Sequence, residues 1–81
     1  SPDLKLAYEL KELYRDFNKR CSFEEASMKL DYLIELFEHA DLDCYKEFIS
    51  LLKHWKPEII NSFRRPYDDR RQSNALAENI N

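Results

Sequence analysis

The residues best suited to chemistry lie at the end of the chain, in residues 73–81. This segment holds one carboxylate, Glu78, between Asn74 and Asn81. Hard divalent cations such as Mg²⁺ bind oxygen ligands, and a carboxylate near the start of a helix is also favoured by the helix dipole. Glu78 is therefore a candidate metal ligand, and the two asparagine amides are candidates to position it by hydrogen bonds. The alternative is a solvated acid at the start of a helix.

Four arginines precede this segment. Each guanidinium group can hold a phosphate through two hydrogen bonds, which makes the four side chains candidate contacts to DNA. A solvated loop, or ion pairs with the neighbouring Asp68 and Asp69, explains them equally well. The four are Arg64, Arg65, Arg70 and Arg71.

Other side chains with reactive or aromatic groups give weaker signals. His39 and His54 lie on different predicted helices, without the Cys/His spacing of a zinc site. Cys21 and Cys44 lie at opposite ends of one predicted helix, about 30 Å apart, which is too far for a disulfide. We expect inert thiols in a reducing compartment. Trp55 has a ring suited to base stacking, but it continues an apolar stripe, which favours a core position.

The composition predicts an all-α fold. The 81 residues contain no Gly, Val or Thr, whereas strands favour β-branched residues and tight hairpins favour Gly. The net charge of −3 gives no overall attraction to nucleic acid. Acidic residues concentrate in residues 21–44 and arginines near the end, which suggests faces with different partners. The alternative is a solvated acidic helix face and a solvated loop. No apolar run is long enough for a membrane span, and no signal peptide is visible.

Apolar residues at intervals of three and four predict three amphipathic helices. The first covers about residues 2–19 and places Leu6, Leu10, Leu13 and Phe17 on one face. The second begins after a capping box at Ser22 and Glu25 and extends to about residue 40. The third extends to about residue 63 and contains Pro57. One helix kinked at Pro57 is expected, with two helices as the close alternative.

Short links between these helices predict a small antiparallel bundle over residues 1–63. Residues 64–81 are expected to form a loop and the start of a further helix, with Ser73 or Asn74 as its cap. A chain this short gains little stability from its core, so the isolated chain is expected to be marginally stable or to self-associate. Because the chain begins at Ser1, it is interpreted as an excised or processed segment, although a removed tag would look the same.

Residues along the whole chain resemble the DDE transposases of the ISL-three insertion-sequence family. That family has an S/T-N-x-x-x-E-x-x-N run at the helix bearing its catalytic Glu. The patterns of residues 4–11, 51–63 and 70–74 are also similar to segments of the family's helical insertion and of the approach to the Glu helix. The residues at the matching positions of the run are Ser73, Asn74, Glu78 and Asn81.

The resemblance implies a fragment of a bacterial enzyme that cuts and joins transposon DNA by phosphoryl transfer with two metal ions, Mg²⁺ or Mn²⁺. Glu78 would be the third catalytic and metal-binding carboxylate, supported by Asn74 and Asn81. The fragment alone is expected to catalyse nothing, because one carboxylate cannot assemble a two-metal site. DNA is the implied partner and the bacterial cytoplasm, near the nucleoid, the implied location.

Two other functions stay open from the residues alone. A small helical protein–protein interaction module would dock through the acidic face of the second helix. A helix-turn-helix DNA binder is disfavoured, because no helix combines a basic face with short polar side chains that could read bases.

Overall fold

The computed structural model describes residues 2–64, which form helices and contain no strand in that range. The four α-helices are α1 (Pro2–Arg20), α2 (Phe23–Ala40), α3 (Lys46–His54) and α4 (Lys56–Asn61), and Asp43–Tyr45 form a short 3₁₀ helix. The predicted all-α fold is confirmed. Within this range no helix combines the length and apolarity needed to cross a membrane. The loop and further helix predicted beyond residue 64 lie outside the described residues.

The first two helices lie close to their predicted bounds and are joined by two residues. The charges at the ends of α1 suit the helix dipole, with Asp3 in the first turn and Arg20 in the last. The predicted capping box is wrong in its detail. The side chain of Ser22 makes no capping hydrogen bond, and it is the backbone carbonyl of Ser22 that accepts from the N–H of Glu25 at 3.1 Å.

The second helix ends at Asp41, which has left-handed backbone angles (φ 52°, ψ 46°). Its N–H donates to the carbonyls of Phe37 and Glu38, so the last turn of α2 is closed in the usual way for a left-handed cap. The Nζ of Lys46 lies 2.5 Å from Oδ1 of Asp41. This ion pair connects the end of α2 to the start of α3 across the 3₁₀ helix.

The third predicted helix is divided in two, so the single kinked helix is not observed and the alternative describes the chain better. The break is at Trp55 (φ −97°, ψ 15°), and Pro57 lies in the first turn of α4. Proline lacks an N–H group, and its ring collides with the carbonyl four residues earlier, here that of Lys53. A proline is tolerated in the first turn of a new helix, which explains why α4 begins where it does.

The helix α2 is central to the fold, because it packs against each of the other three helices, α1, α3 and α4. It supplies five of the core side chains, and the two large ones without exposed surface are Leu30 and Phe37. Burying side chains of this size contributes about 1.5–3 kcal/mol each. The core residues of α2 are Ala26, Leu30, Leu33, Ile34 and Phe37.

An aromatic cluster joins α1, α2, the 3₁₀ helix and α3. It consists of Tyr14 from α1, Phe37 from α2, Tyr45 from the 3₁₀ helix and Phe48 from α3. The rings of Phe37 and Tyr45 meet edge to face at 4.8 Å, and those of Tyr14 and Phe48 do so at 5.1 Å. The hydroxyl of Tyr45 also donates to the carbonyl of Ala7 at 2.7 Å. The first part of α1 and the 3₁₀ helix before α3 therefore lie at the same end of the molecule.

Candidate functional site at the end of the bundle

The other end of the molecule is where the described chain stops, next to the segment that carries most of the predicted site. Of the predicted site residues only Arg64 lies in residues 2–64. The remaining ones, which lie outside the described residues, are Arg65, Arg70, Arg71, Asn74, Glu78 and Asn81. Their predicted roles stay predictions, and the residues around Arg64 are the part of the site that can be described.

The end of α4 is fixed to the end of α1 by two aromatic rings. Phe63 is buried with 3% of its surface exposed, and its ring centroid lies 4.9 Å from that of Phe17. The N–H groups of Phe63 and Arg64 donate to the carbonyls of Ile60 and Asn61, which continues the helical turn past the end of α4. The backbone is therefore held in place up to Arg64.

Arg64 lies against the first turn of α2. Its guanidinium carbon is 4.7 Å from the centre of the Phe23 ring, within the range of a cation–π contact. Such a contact contributes about 0.5–1 kcal/mol at an exposed site. Arg64 is exposed, so its N–H groups can still reach a phosphate. The ends of α1 and α4 and the start of α2 thus meet around Phe17, Phe23 and Phe63.

The cysteine at this junction is structural. Cys21 is buried and its thiol donates to the carbonyl of Ser22 at 3.3 Å. Burial raises the pKa of the Cys21 thiol, which works against formation of the reactive thiolate. Cys44 is exposed, and both cysteines are free thiols.

The described residues contain no group of three or more His, Cys, Asp or Glu side chains that could hold a metal ion. His39 and His54 are both exposed, and His54 contacts a tryptophan ring rather than other potential ligands.

Two acidic residues of α2 form ion pairs with lysines of α3 and α4. Glu38 lies 2.5 Å from the Nζ of Lys53, and Asp31 pairs with Lys56. These contacts occupy part of the acidic face that an interaction module would use. They are exposed ion pairs, which typically contribute only about 0–1 kcal/mol each.

The position of Trp55 was predicted wrongly. Its side chain is not in the core, since 48% of its surface is exposed. The ring of His54 meets it almost perpendicularly, at 83° and 4.9 Å between centroids. We call these two rings the Trp55 corner. The related signal in the sequence is Pro57, two residues later, because a proline can end the preceding helix and so interrupt the apolar stripe at Trp55.

A comparison with models of protein families shows which family the chain belongs to. The model of the DDE transposase family of ISL3 insertion sequences, described as "Transposase", matches residues 1–81. The chain belongs to this transposase family. The resemblance found in the sequence is confirmed, and the family is one of DNA-cleaving transposases. No curated protein and no solved structure was found to match the chain.

Proposed function

We propose that the chain is a helical insertion in the catalytic region of a DDE transposase, followed by the start of the helix that bears its third catalytic carboxylate. In this proposal residues 1–63 are the insertion and residues 64–81 lead to Glu78. The observation that carries the proposal is the family match, because it extends over residues 1–81 and thus includes both the helices and the Glu78 segment.

Glu78 is proposed as one of three carboxylates that hold two divalent cations, Mg²⁺ or Mn²⁺. Carboxylate oxygens are the ligands that these cations prefer, and Asn74 and Asn81 would orient the carboxylate by hydrogen bonds. The bound cations supply charge stabilisation for phosphoryl transfer. Because this segment contributes a single such carboxylate, the chain by itself is proposed to be inactive.

The helices are proposed to buttress this site by fixing where the Glu78 segment begins. The contacts of Phe63 with Phe17 and of Arg64 with Phe23 support this role, since they hold the backbone next to that segment. Arg64 is exposed, which supports a contact with a DNA phosphate.

Arg65, Arg70 and Arg71 are proposed to contact further phosphates of the same DNA. Transposon-end and target DNA would then be the partners of the whole protein, and the bacterial cytoplasm near the nucleoid would be its location. Self-association of the chain is proposed in addition.

The test is Glu78→Gln in the full transposase. We expect metal-dependent nicking of a transposon-end duplex to fall to background, because the amide cannot replace the carboxylate as a cation ligand. Glu58→Gln is the matched control. Glu58 is an exposed acid in the first turn of α4, and the same loss of charge there should leave nicking unchanged. Nicking at the normal rate by the Glu78 variant would show that the assignment is wrong.

A protein-interaction module is the alternative, and one observation favours it. Met28 and Tyr32, one turn apart on α2, are 67% and 60% exposed beside the acidic residue Glu35. Large apolar side chains of this kind are common at protein interfaces. Stoichiometric binding of another protein without any effect of Mg²⁺, lost in Tyr32→Ala, would support this alternative over the transposase role.

A further inference from the structure

Trp55 is a large aromatic side chain in an unusual position for a small helical domain. It lies at the break between α3 and α4, and about half of its surface is exposed. The perpendicular contact with His54 covers the indole on one side at most. Within residues 2–64 the indole N–H has no hydrogen-bond acceptor. The ring is therefore available to a partner molecule.

Two lysines flank Trp55 in the sequence. Lys53 is two residues before Trp55 and Lys56 follows it directly. Both lysines form ion pairs with α2, through Glu38 and Asp31. Because exposed ion pairs are weak, exchanging a carboxylate for a phosphate as the partner of either lysine costs little.

We propose that the Trp55 corner is a stacking site for an unpaired nucleobase of DNA, with Lys53 and Lys56 contacting the adjoining phosphates. The inference rests on the proposed function for its ligand, since a DNA-cleaving enzyme meets strand ends and unpaired bases. Every base has a flat π face, so stacking on indole needs no particular sequence. The flanking lysines favour this ligand over an apolar protein surface, which would gain nothing from them.

The neighbouring Leu51 provides the internal control. It lies one turn before Trp55 and is 49% exposed, almost as much as Trp55 itself. A general apolar contact would use both side chains, whereas base stacking needs only the ring. Leu51→Ala and Trp55→Ala therefore separate the two kinds of partner.

The experiment uses the fact that Trp55 is the sole tryptophan of the chain. A single-stranded oligodeoxynucleotide is titrated into the 81-residue chain while tryptophan fluorescence is recorded. We expect saturable quenching. An oligonucleotide made of abasic sites, which keeps the phosphates and lacks the bases, should cause none. Binding of a labelled strand should weaken about tenfold or more in Trp55→Ala.

Two further variants sharpen the result. Trp55→Phe keeps a stacking ring and should recover most of the affinity, while Leu51→Ala should bind like the wild type. Lys53→Gln and Lys56→Gln should each lower the dependence of binding on salt by about one phosphate contact. Both positions are exposed or half-buried, so the fold is expected to survive these changes.

Several outcomes would overturn the proposal. They are absence of single-strand binding, equal affinity of Trp55→Ala and the wild type, or equal weakening by Leu51→Ala. A fluorescence shift that appears only when copies of the chain associate would instead make the Trp55 corner a protein contact. Nicking by the full transposase and its loss in Glu78→Gln are measured separately, so failure of the stacking site and failure of the proposed function can be told apart.

Discussion

The aromatic cluster around Phe37 lies in the core, whereas the Trp55 corner lies at the surface. Phe37 has no exposed surface and touches the rings of Tyr45 and Phe48, whereas Trp55 is half exposed and touches only the ring of His54 among the aromatic groups of residues 2–64. The difference follows from position in the helices, because Phe37 lies on the core face of α2, whereas Trp55 caps the end of α3 after His54. Phe37 therefore serves packing, whereas the exposed ring of Trp55 is free for binding.

Phe37→Ala should give the largest effect, because it removes the centre of the aromatic cluster. We expect a loss of about 3–5 kcal/mol in the free energy of unfolding, the usual cost of leaving a cavity of this size. Trp55→Ala, an equally drastic change at the exposed corner, should cost about 0.5 kcal/mol or less. Urea denaturation followed by circular dichroism measures both.

If Phe37→Ala does not fold, Phe37→Leu gives the same comparison with a smaller expected loss. Similar losses for Phe37→Leu and Trp55→Ala would contradict the distinction between the two regions.

Tyr45→Phe should give an intermediate effect. The change removes the hydrogen bond to the carbonyl of Ala7, which keeps only its partner within α1, at a cost of about 0.5–1.5 kcal/mol. Tyr14→Phe is the matched control, since the Tyr14 hydroxyl makes no hydrogen bond within residues 2–64. Equal stability of the two variants in urea denaturation would show that the Tyr45 hydroxyl contributes nothing.

Tyr45→Phe should also change how the stability of the fold depends on pH. Burial raises the pKa of Tyr45 above its ordinary value, so the neutral hydroxyl is favoured in the folded state. Its contribution is fully present below the unfolded-state pKa of about 10 and is lost as the pH rises toward the higher folded-state value. Between these two values the wild type should lose stability with pH, and Tyr45→Phe should lose less.

Asp41→Gly should have the smallest effect, a slight rise in the melting temperature. Asp41 has left-handed backbone angles, which glycine adopts without strain from a Cβ atom. The gain is reduced at neutral pH by loss of the ion pair with Lys46. That pair lowers the pKa of Asp41 through its hydrogen bond, so its contribution is present above the unfolded-state pKa and disappears as the pH falls through the lower folded-state pKa.

The gain from Asp41→Gly should therefore be larger at acidic than at neutral pH. Asp41→Asn serves as the control, since it removes the charge but keeps a residue type that tolerates these angles. A gain that does not change between the two pH values would mean that the ion pair with Lys46 adds no stability.

Much of the fold followed from the sequence because apolar spacing is a strong signal over long helices. The bounds of α1 and α2 and the central stripe of α2 are found where the spacing predicted them. Leu13 shows the limit of this signal. It lies on the predicted stripe, yet 46% of it is exposed, because α1 packs against a single neighbouring helix along that side and leaves the edge of the stripe in a groove between α1 and α2.

The site was less predictable than the fold. The contact of Arg64 with Phe23 joins residues far apart in the sequence, and no local pattern indicates which ring a guanidinium group will meet. The position of Trp55 depended on whether Pro57 kinks a helix or starts a new one, a choice that local sequence leaves open. The roles of Glu78, Asn74 and Asn81 rest on resemblance and await the nicking experiment.

The contact between Phe17 and Phe63 has a consequence for the order of folding. The pairs α1–α2 and α2–α3 are joined by short links, so their closure costs little chain entropy, whereas contact between Phe17 and Phe63 must close a loop that contains α2, α3 and α4. We expect the two local pairs to form first and this contact last. During synthesis, the backbone next to the Glu78 segment would then acquire its direction only after the rest of the bundle has assembled.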